Sequence, residues 1–422
     1  MDNVAVPLPP PGTPARLPAS ADAVIIGGGV LGCAFAYHLA AAGLKPLLLE
    51  RRGLAQASTS RAAGLLTRLR SRAGLVQLVR ATYADIQQLE GETGASLGLR
   101  RTGSIHLAAS GAARAGHLAM LEVAEALGEA VVQLTPGQVR DRLPWIRLGG
   151  DEQALFTPAD AFMDGYALAT GYARAARQRG ATLLEHRPVH QILAAHGRVT
   201  GVRSGPDVVG APVVIDAAGA WANLLARPLG AAIPMAPVRS QYWITAPAKV
   251  FPDDMPFLVL PDAKAYTRPE GGGLLFGFRE AQGRYADPRL LPEDLQGHVV
   301  AGDPDGWAGL EEGVPAFTPF CPGFEEAPIA HYISGYSMYV PDGLTAIGPL
   351  PGIAGLYSGA GCSGGGVALA GGLGRALAQV VTGSARSFDL EPHDPARFGR
   401  FDPFSPAWGQ KCADARSRKT SG

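Results

Sequence analysis

The sequence predicts an α/β fold: a Rossmann-like dinucleotide-binding domain and a discontinuous second α+β domain built on an antiparallel sheet. Three observations predict it. The apolar run Ala23-Val24-Ile25-Ile26 leads directly into Gly27-x-Gly29-x-x-Gly32 and then an Ala-rich helical stretch. Strand, glycine turn and helix material returns at 213–219 and 344–383. Residues 231–330 between them are rich in Pro, Gly and aromatics, and their alternating stretches, 241–245 and 274–278, read as antiparallel strands.

Taken in order, the first twenty residues hold six prolines and no apolar core of signal-peptide type, so they read as a disordered or polyproline tail. Ala23–Ile26 is a buried strand, and the helix after it runs from Cys33 to Ala42 and stops at Gly43. Leu47-Leu48-Leu49-Glu50 is the next strand, completing a βαβ unit. Residues 75–145 are mostly helical and polar, 165–180 form a helix, and 213–219 a buried strand ending at a glycine turn. The segments 21–85, 150–230 and 331–385 are assigned to the dinucleotide domain, 86–149 and 231–330 to a substrate domain, and 386–422 to a C-terminal extension. No internal repeat is present.

Composition narrows the function. Apolar residues make up 47% of the 422-residue chain and charged residues 18%, which supports a large core and excludes global disorder. Acids and bases balance at 37 each, giving no footprint for nucleic acid or an anionic membrane. Four cysteines lie far apart without a C-x-x-C pair, which argues against an internal metal site or a disulfide scaffold and for a reducing, cytoplasmic setting. Residues 23–44 and 343–374 lack charged side chains and are long enough to span a bilayer. The Gly27–Gly29 triplet and the twelve glycines of the second stretch make them buried units of a soluble protein instead.

The glycine fingerprint has a mechanism. Gly27 permits the tight turn, Gly29 lets a pyrophosphate approach the backbone, and Gly32 lets helix and strand pack closely. Glu50 stands 18 residues after Gly32, where a carboxylate accepts a ribose 2′-hydroxyl and repels a 2′-phosphate. Its alternative role is a salt bridge to Arg51 or Arg52.

GGGVLG at 27–32, Glu50-Arg51, STSRAAG at 58–64, VIDAAGAWA at 214–222 and the glycine-rich run at 341–374 together resemble the D-amino-acid-oxidase superfamily of flavoenzymes. The similarity is greatest to its sarcosine oxidase, dimethylglycine dehydrogenase and glycine oxidase branch and runs from about residue 22 to 400. It implies an FAD-binding Rossmann-like domain and an antiparallel sheet covering the flavin. It also implies site residues. Gly27, Gly29, Val30, Leu31 and Gly32 face the pyrophosphate, and Glu50 and Arg51 hold the adenosine end. Ser58, Thr59, Arg61, Ala62, Ala63 and Gly64 line the path toward the flavin. Val189 contacts the adenine through its backbone, and Gly219 and Trp221 close that side. Gly361, Ser363, Gly364, Gly365, Gly366 and Val367 present N–H groups to the flavin.

The departures from the family are also informative. Ser337 and Arg61 stand where the family's covalent flavin tethers would be, so FAD is expected to bind noncovalently; Cys321 and Cys362 read as structural thiols. The family's cationic substrate anchors correspond to Ser337 and Ala368, and its oxygen-activating lysine to Leu275. Arg279, Tyr266, Tyr339 and His331 remain as candidate catalytic or substrate-binding groups, with Tyr242 and Tyr336 as further pocket candidates. Arg279 could equally pair with Glu280 or Glu270. The expected activity is FAD-dependent oxidation of a C–N bond in a secondary amine or amino-acid-like substrate, with oxygen or another electron acceptor. The alternatives are a tailoring flavoenzyme for a larger, carboxylate-free substrate, and an FAD-binding subunit of a heteromeric dehydrogenase. An oligomer or partner subunit is compatible with all three; a metal, a nucleic acid or a membrane span is not expected.

Overall fold

A computed structural model describes residues 17–419. Its first sheet has six strands in the order Gly348–Pro349, Leu356–Ser358, Val214–Asp216, Ala23–Ile26, Pro46–Leu49 and Thr182–Leu184. All neighbours are parallel except the edge pair 348–349 and 356–358. The strands are short, apolar and buried because both faces are covered. On one face the helix Val30–Ala41 packs against Gly165–Gln178 and Gly366–Thr382, and the last packs in turn on Ala73–Thr93.

These four helices are tied by one carboxylate. Asp85 Oδ2 meets His38 Nε2 at 2.7 Å and accepts from the Tyr172 hydroxyl at 2.8 Å, while Arg375 Nη2 reaches Oδ1 at 3.2 Å. A buried charge needs such partners. The glycines of 366–374 serve the same packing: a Cβ on Gly372 would lie 2.5 Å from Leu78 Cα, and one on Gly374 3.2 Å from Ala34 Cβ. The long uncharged run is therefore an interface between helices. Among the described residues no helix is long and apolar enough to cross a membrane.

The second sheet has eight strands, ordered Ile329–Tyr339, Ala236–Thr245, Gly273–Phe278, Ala265–Glu270, Phe257–Leu260, Ser104–Ala108, Gln153–Thr157 and Val132–Leu134. It is antiparallel except where 104–108 pairs with 257–260. Alternation divides its faces. Leu274, Phe276 and Phe278 point into an aromatic core with Trp243, Phe317 and Phe324, whereas Tyr266 packs with Leu65 and Phe162 on the face toward the first domain. Strands 153–157 and 329–339 both pair in this sheet, so sheet membership crosses the boundaries expected at 150 and 331. Residues Gln191–Ala195, Arg198–Ser204 and Asp207–Gly210 form a separate three-stranded meander.

The tail expected over residues 1–20 lies outside the described residues as far as residue 16. Its last part is corrected by the structure: Leu17 is buried among the core side chains, and the Gly210 N–H donates to the Ala19 carbonyl at 2.9 Å. Pairing to the 207–210 strand satisfies that backbone, so the proline-rich composition does not set its conformation. At the other end, the helix Pro406–Ser417 packs on strands 236–245 and 329–339.

Candidate functional site

A cleft of about 370 Å³ opens at the carboxyl ends of the first sheet's strands, against strand 329–339 of the second. That lies within the ~300–1,000 Å³ of small-molecule and cofactor sites. One wall is the turn from Ala23–Ile26 into helix 30–41. Gly27 has φ +102° and its Cβ would lie 2.5 Å from the Ala217 carbonyl oxygen, while one on Gly32 would lie 2.0 Å from the Gly27 carbonyl. Both positions therefore exclude a side chain. A Cβ on Gly29 would meet only Thr59 Oγ1 at 3.3 Å, so this glycine keeps the cleft side of the helix end clear.

The helix begins without a side-chain cap from Gly29 and has no acidic residue in its first turn. Thr59 Oγ1 accepts from the Val30 N–H at 3.1 Å, and Leu31 and Gly32 border the cleft. A helix N-terminus with no acidic side chain in its first turn and free room in front of it is an anion site. At the strand end, Glu50 Oε2 accepts from the Gly28 N–H at 2.6 Å and Oε1 from the Arg52 N–H at 2.8 Å. These bonds fix the carboxylate at the rim. The Arg51 guanidinium stacks 3.6 Å over the Trp221 ring, and Trp221 Nε1 is buried with no partner among the described residues. Val189, Ala218 and Gly219 continue that wall.

Ser58, Thr59 and Ala62 line the next part of the cleft, followed by Ser337, Met338, Gly361, Cys362, Gly364, Gly366 and Val367. Five expected residues do not border it: Arg61, Ala63, Gly64, Ser363 and Gly365. Arg61 Nη1 donates to the Gln56 and Ala57 carbonyls at 2.6 and 2.9 Å, bracing its own loop. The Ala63 carbonyl accepts from Arg268 Nε at 2.6 Å, and a Cβ on Gly64 would collide with the Met163 carbonyl at 1.9 Å. Ser363, at φ +46°, accepts from the Val340 N–H at 3.1 Å and donates to the Leu344 carbonyl at 2.6 Å, which holds the glycine loop in shape. The Gly365 N–H donates to the Cys362 carbonyl.

The candidate catalytic groups divide. Arg279 and Tyr339 are buried and Tyr266 is half-buried, with the Arg279 guanidinium 5.7 Å from the Tyr266 ring centroid. Burial lowers the basicity of Arg279 and raises both phenols, with Tyr339 and Tyr266 partly offsetting the effect on the arginine. Glu280 pairs with Arg239 and Arg416, and Glu270 with Arg268, so those carboxylates serve other guanidiniums. His331 is corrected: it is exposed on the edge strand beside Trp307, on a different surface from the cleft. Strand alternation places it there, and sequence alone did not fix which face the edge strand presents. Tyr242 is buried nearby in the same sheet, while the Tyr336 hydroxyl bonds to His298.

Two further cations were not foreseen. Lys419 places its ammonium 3.1 Å from the Ser363 carbonyl, and Arg70 is buried with Nε donating to the Thr67 carbonyl at 3.0 Å. Neither stands in a motif, so no spacing could have found them. Segment 288–295 also borders the cleft without any sequence signal. Cys362 lines the cleft with its thiol pushed up by burial, whereas Cys321 is buried in the second sheet's core.

A family model described as FAD dependent oxidoreductase, the DAO family, matches residues 22–380. The chain belongs to this family. DAO-family relatives include human mitochondrial sarcosine dehydrogenase, 29% identical over 93% of this chain and 43% of its own length. Human mitochondrial dimethylglycine dehydrogenase is 30% identical over 90% of this chain and 45% of its own. The chain thus spans less than half the length of these relatives. Among solved structures, glycine oxidase from Geobacillus kaustophilus superposes with a TM-score of 0.74 at 25% identity, covering 90% of this chain and 99% of its own. L-proline dehydrogenase from P. horikoshii gives 0.79 at 25%, covering 90% and 98%. The cleft fits the DAO-family cofactor on its own evidence: an open helix N-terminus for a pyrophosphate, a rim carboxylate, a buried indole N–H lacking a partner among the described residues, and a glycine loop at the far end.

Proposed function

We propose that this chain oxidises the C–N bond of a secondary amine or amino-acid-like substrate, using noncovalently held FAD. The observation that carries the reading is the continuity of the site: a dinucleotide cleft reaches Gly364, against which the Tyr339 hydroxyl is packed, while the buried Arg279 lies over the Tyr266 ring. Bound FAD would supply a hydride acceptor. The chain's own residues bind and orient. The Arg279 guanidinium holds an acidic group of the substrate, and the Tyr339 hydroxyl, 2.7 Å from where a Gly364 Cβ would stand, offers a donor near the end of the cleft. The apolar and aromatic side chains of the second sheet exclude water, which favours an amine bound in its neutral form. A neutral amine can lose hydride from its α-carbon without a strong base, its lone pair forming the C=N bond. Water then adds to the imine and releases the carbonyl product and the smaller amine.

Noncovalent binding is favoured because Ser337 cannot form the thioether a cysteine would and Arg61 is engaged with backbone carbonyls. The names of the relatives support N-substituted amino acids as substrates. The test is anaerobic. Purified full chain should show a flavin absorbance band that acid precipitation leaves in the supernatant. Sarcosine, dimethylglycine, proline or iminodiacetate should bleach it. A folded chain without a flavin band, and gaining none with FAD, would refute the cofactor. Bleaching only by carboxylate-free amines would replace this substrate class with the tailoring-enzyme reading. Flavin that is reduced by substrate but not reoxidised by oxygen would assign the electrons to another acceptor.

A further inference from the structure

We propose that residues 288–295 are a strap that retains the adenosine end of the flavin cofactor. The proposal rests on the noncovalent reading above, since a cofactor without a tether needs another means of retention.

The segment comes from the part of the chain that builds the second sheet. Between strand Gly273–Phe278 and helix Trp307–Phe317 the described residues form only two short 3-10 turns, Pro288–Leu290 and Val300–Gly302. Upstream the segment is fixed to that sheet: the Ala286 N–H donates to the Pro237 carbonyl at 2.8 Å, and the Arg284 carbonyl accepts from the Arg239 N–H at 2.8 Å. Asp287 Oδ1 accepts from the Arg289 N–H at 2.9 Å and shapes the first turn. Downstream, His298 Nε2 lies 3.2 Å from the Tyr336 hydroxyl. Between these ends the chain runs along the cleft, and Pro288, Leu291, Asp294 and Leu295 line it.

There it reaches two stretches of the first domain that also border the cleft. Pro288–Leu290 packs on Gly219–Trp221 and on helix Ala222–Ala226, and Leu291 joins the apolar cluster that holds Ala220 and Ala222. At the loop after Glu50, Asp294 Oδ2 lies 3.3 Å from Arg52 Nη2, and the Leu295 carbonyl accepts from Arg61 Nη2 at 3.4 Å. A chain that spans two lining stretches covers the space between them, and Trp221 and Arg51 mark that space as the adenosine end. The two attachments differ in kind. The first is apolar packing. The second is an ion pair open to solvent, which contributes little by itself, one hydrogen bond, and the buried side chain of Leu295. Leu295 therefore holds the strap down, and the 294–295 end is where it lifts. The turn itself is bare, with Leu290 82% exposed.

The test is limited trypsin cleavage of the full chain at the Arg289–Leu290 bond, read by mass spectrometry, together with the rate of flavin release on dilution. ADP carries the adenosine end without the flavin, and FMN the flavin without adenosine. Added to flavin-depleted chain, FAD and ADP should slow cleavage at this bond by about tenfold or more, because cleavage tracks the population of the lifted segment. FMN should leave it within about twofold, and bonds elsewhere should change little. Leu295→Ala should release FAD about 10- to 100-fold faster, the loss of one buried leucine contact, and should lose the protection by ADP. Equal cleavage with and without ADP, protection by FMN equal to that by ADP, or equal protection at every bond overturns the proposal, as does an unchanged release rate in Leu295→Ala. The wild-type cleavage decides the matter even if the variant misfolds. Flavin that stays on the acid-denatured chain would defeat the noncovalent reading and the strap's role with it. A flavin that no amine bleaches would defeat only the amine-oxidation reading and leave the strap standing.

Discussion

At its dinucleotide end the cleft is made of backbone. Gly27, Gly29 and Gly32 come from one six-residue stretch and act by what they lack, and the helix end they open offers N–H groups rather than side chains. At the far end the cleft meets side chains gathered from distant places: Leu295, Ser337 with Met338, and Cys362 come from three separate segments of the chain. At Gly27 and Gly32 the first kind of site has no room for a side chain, because a Cβ would meet a carbonyl at 2.5 and 2.0 Å. The second kind consists of side chains, whose exchange need not bring a Cβ against the backbone. A family can therefore keep one cofactor and vary its substrates.

The sharpest way to break this contrast is at Gly29. Its Cβ would meet only Thr59 Oγ1 at 3.3 Å, so Gly29→Val should fold yet obstruct the anion site at the helix end. Flavin content after purification should drop essentially to zero while the far-ultraviolet circular dichroism stays native. A variant that retains flavin would show that the pyrophosphate does not lie against this turn.

The substrate end should answer differently. Arg279→Met should keep the flavin and raise KM for an acidic amine by about 30-fold to several thousand-fold, the ~2–5 kcal/mol range for removing one partner of a buried charge contact. KM for a carboxylate-free amine should hardly move. Equal changes for both substrates would remove Arg279 from the anchor and leave it a packing role.

A smaller effect separates stability from binding at the dinucleotide end. Asp216 ends the strand beside Ala23–Ile26; its Oδ1 accepts from the Ala218 N–H, and Oδ2 is buried without a partner among the described residues. Burial pushes its carboxyl up to about 8. The native state then holds a proton that the unfolded chain releases near pH 4, so stability declines as pH rises between those values. Asp216→Asn mimics the protonated form. It should raise the melting temperature at pH 8, reflecting a stability gain of order a few kcal/mol, and the gain should vanish near pH 4. A pH-independent difference would show that the carboxyl is ionised in the fold.

The contrast between the two ends also marks how far the sequence could be read. The βαβ unit was legible because its signals are local: a buried strand, three glycines at fixed spacing, and Glu50 at the next strand's end. The strands around Trp243 and Phe276 were legible from alternation, although the partner strands 153–157 and 329–339 were not assigned to that sheet, since pairing across a sheet leaves no mark on spacing. His331 failed for the same reason, its face being set by which neighbour the edge strand has. Arg61 failed because a loop's own carbonyls captured its guanidinium.

By itself, then, the sequence determined the parts whose function lies in backbone geometry: the strand–glycine–helix turn, the rim carboxylate of Glu50 and the glycine loop at 361–366. A residue without a Cβ declares its role wherever it stands, because close approach permits nothing else. Only the tertiary structure decided which charged side chains meet their neighbours. It brought Asp294 to 3.3 Å from Arg52 and placed Arg279 beside Tyr266. Coulomb interaction depends on distance in space and burial, and neither is encoded in the order of residues along the chain.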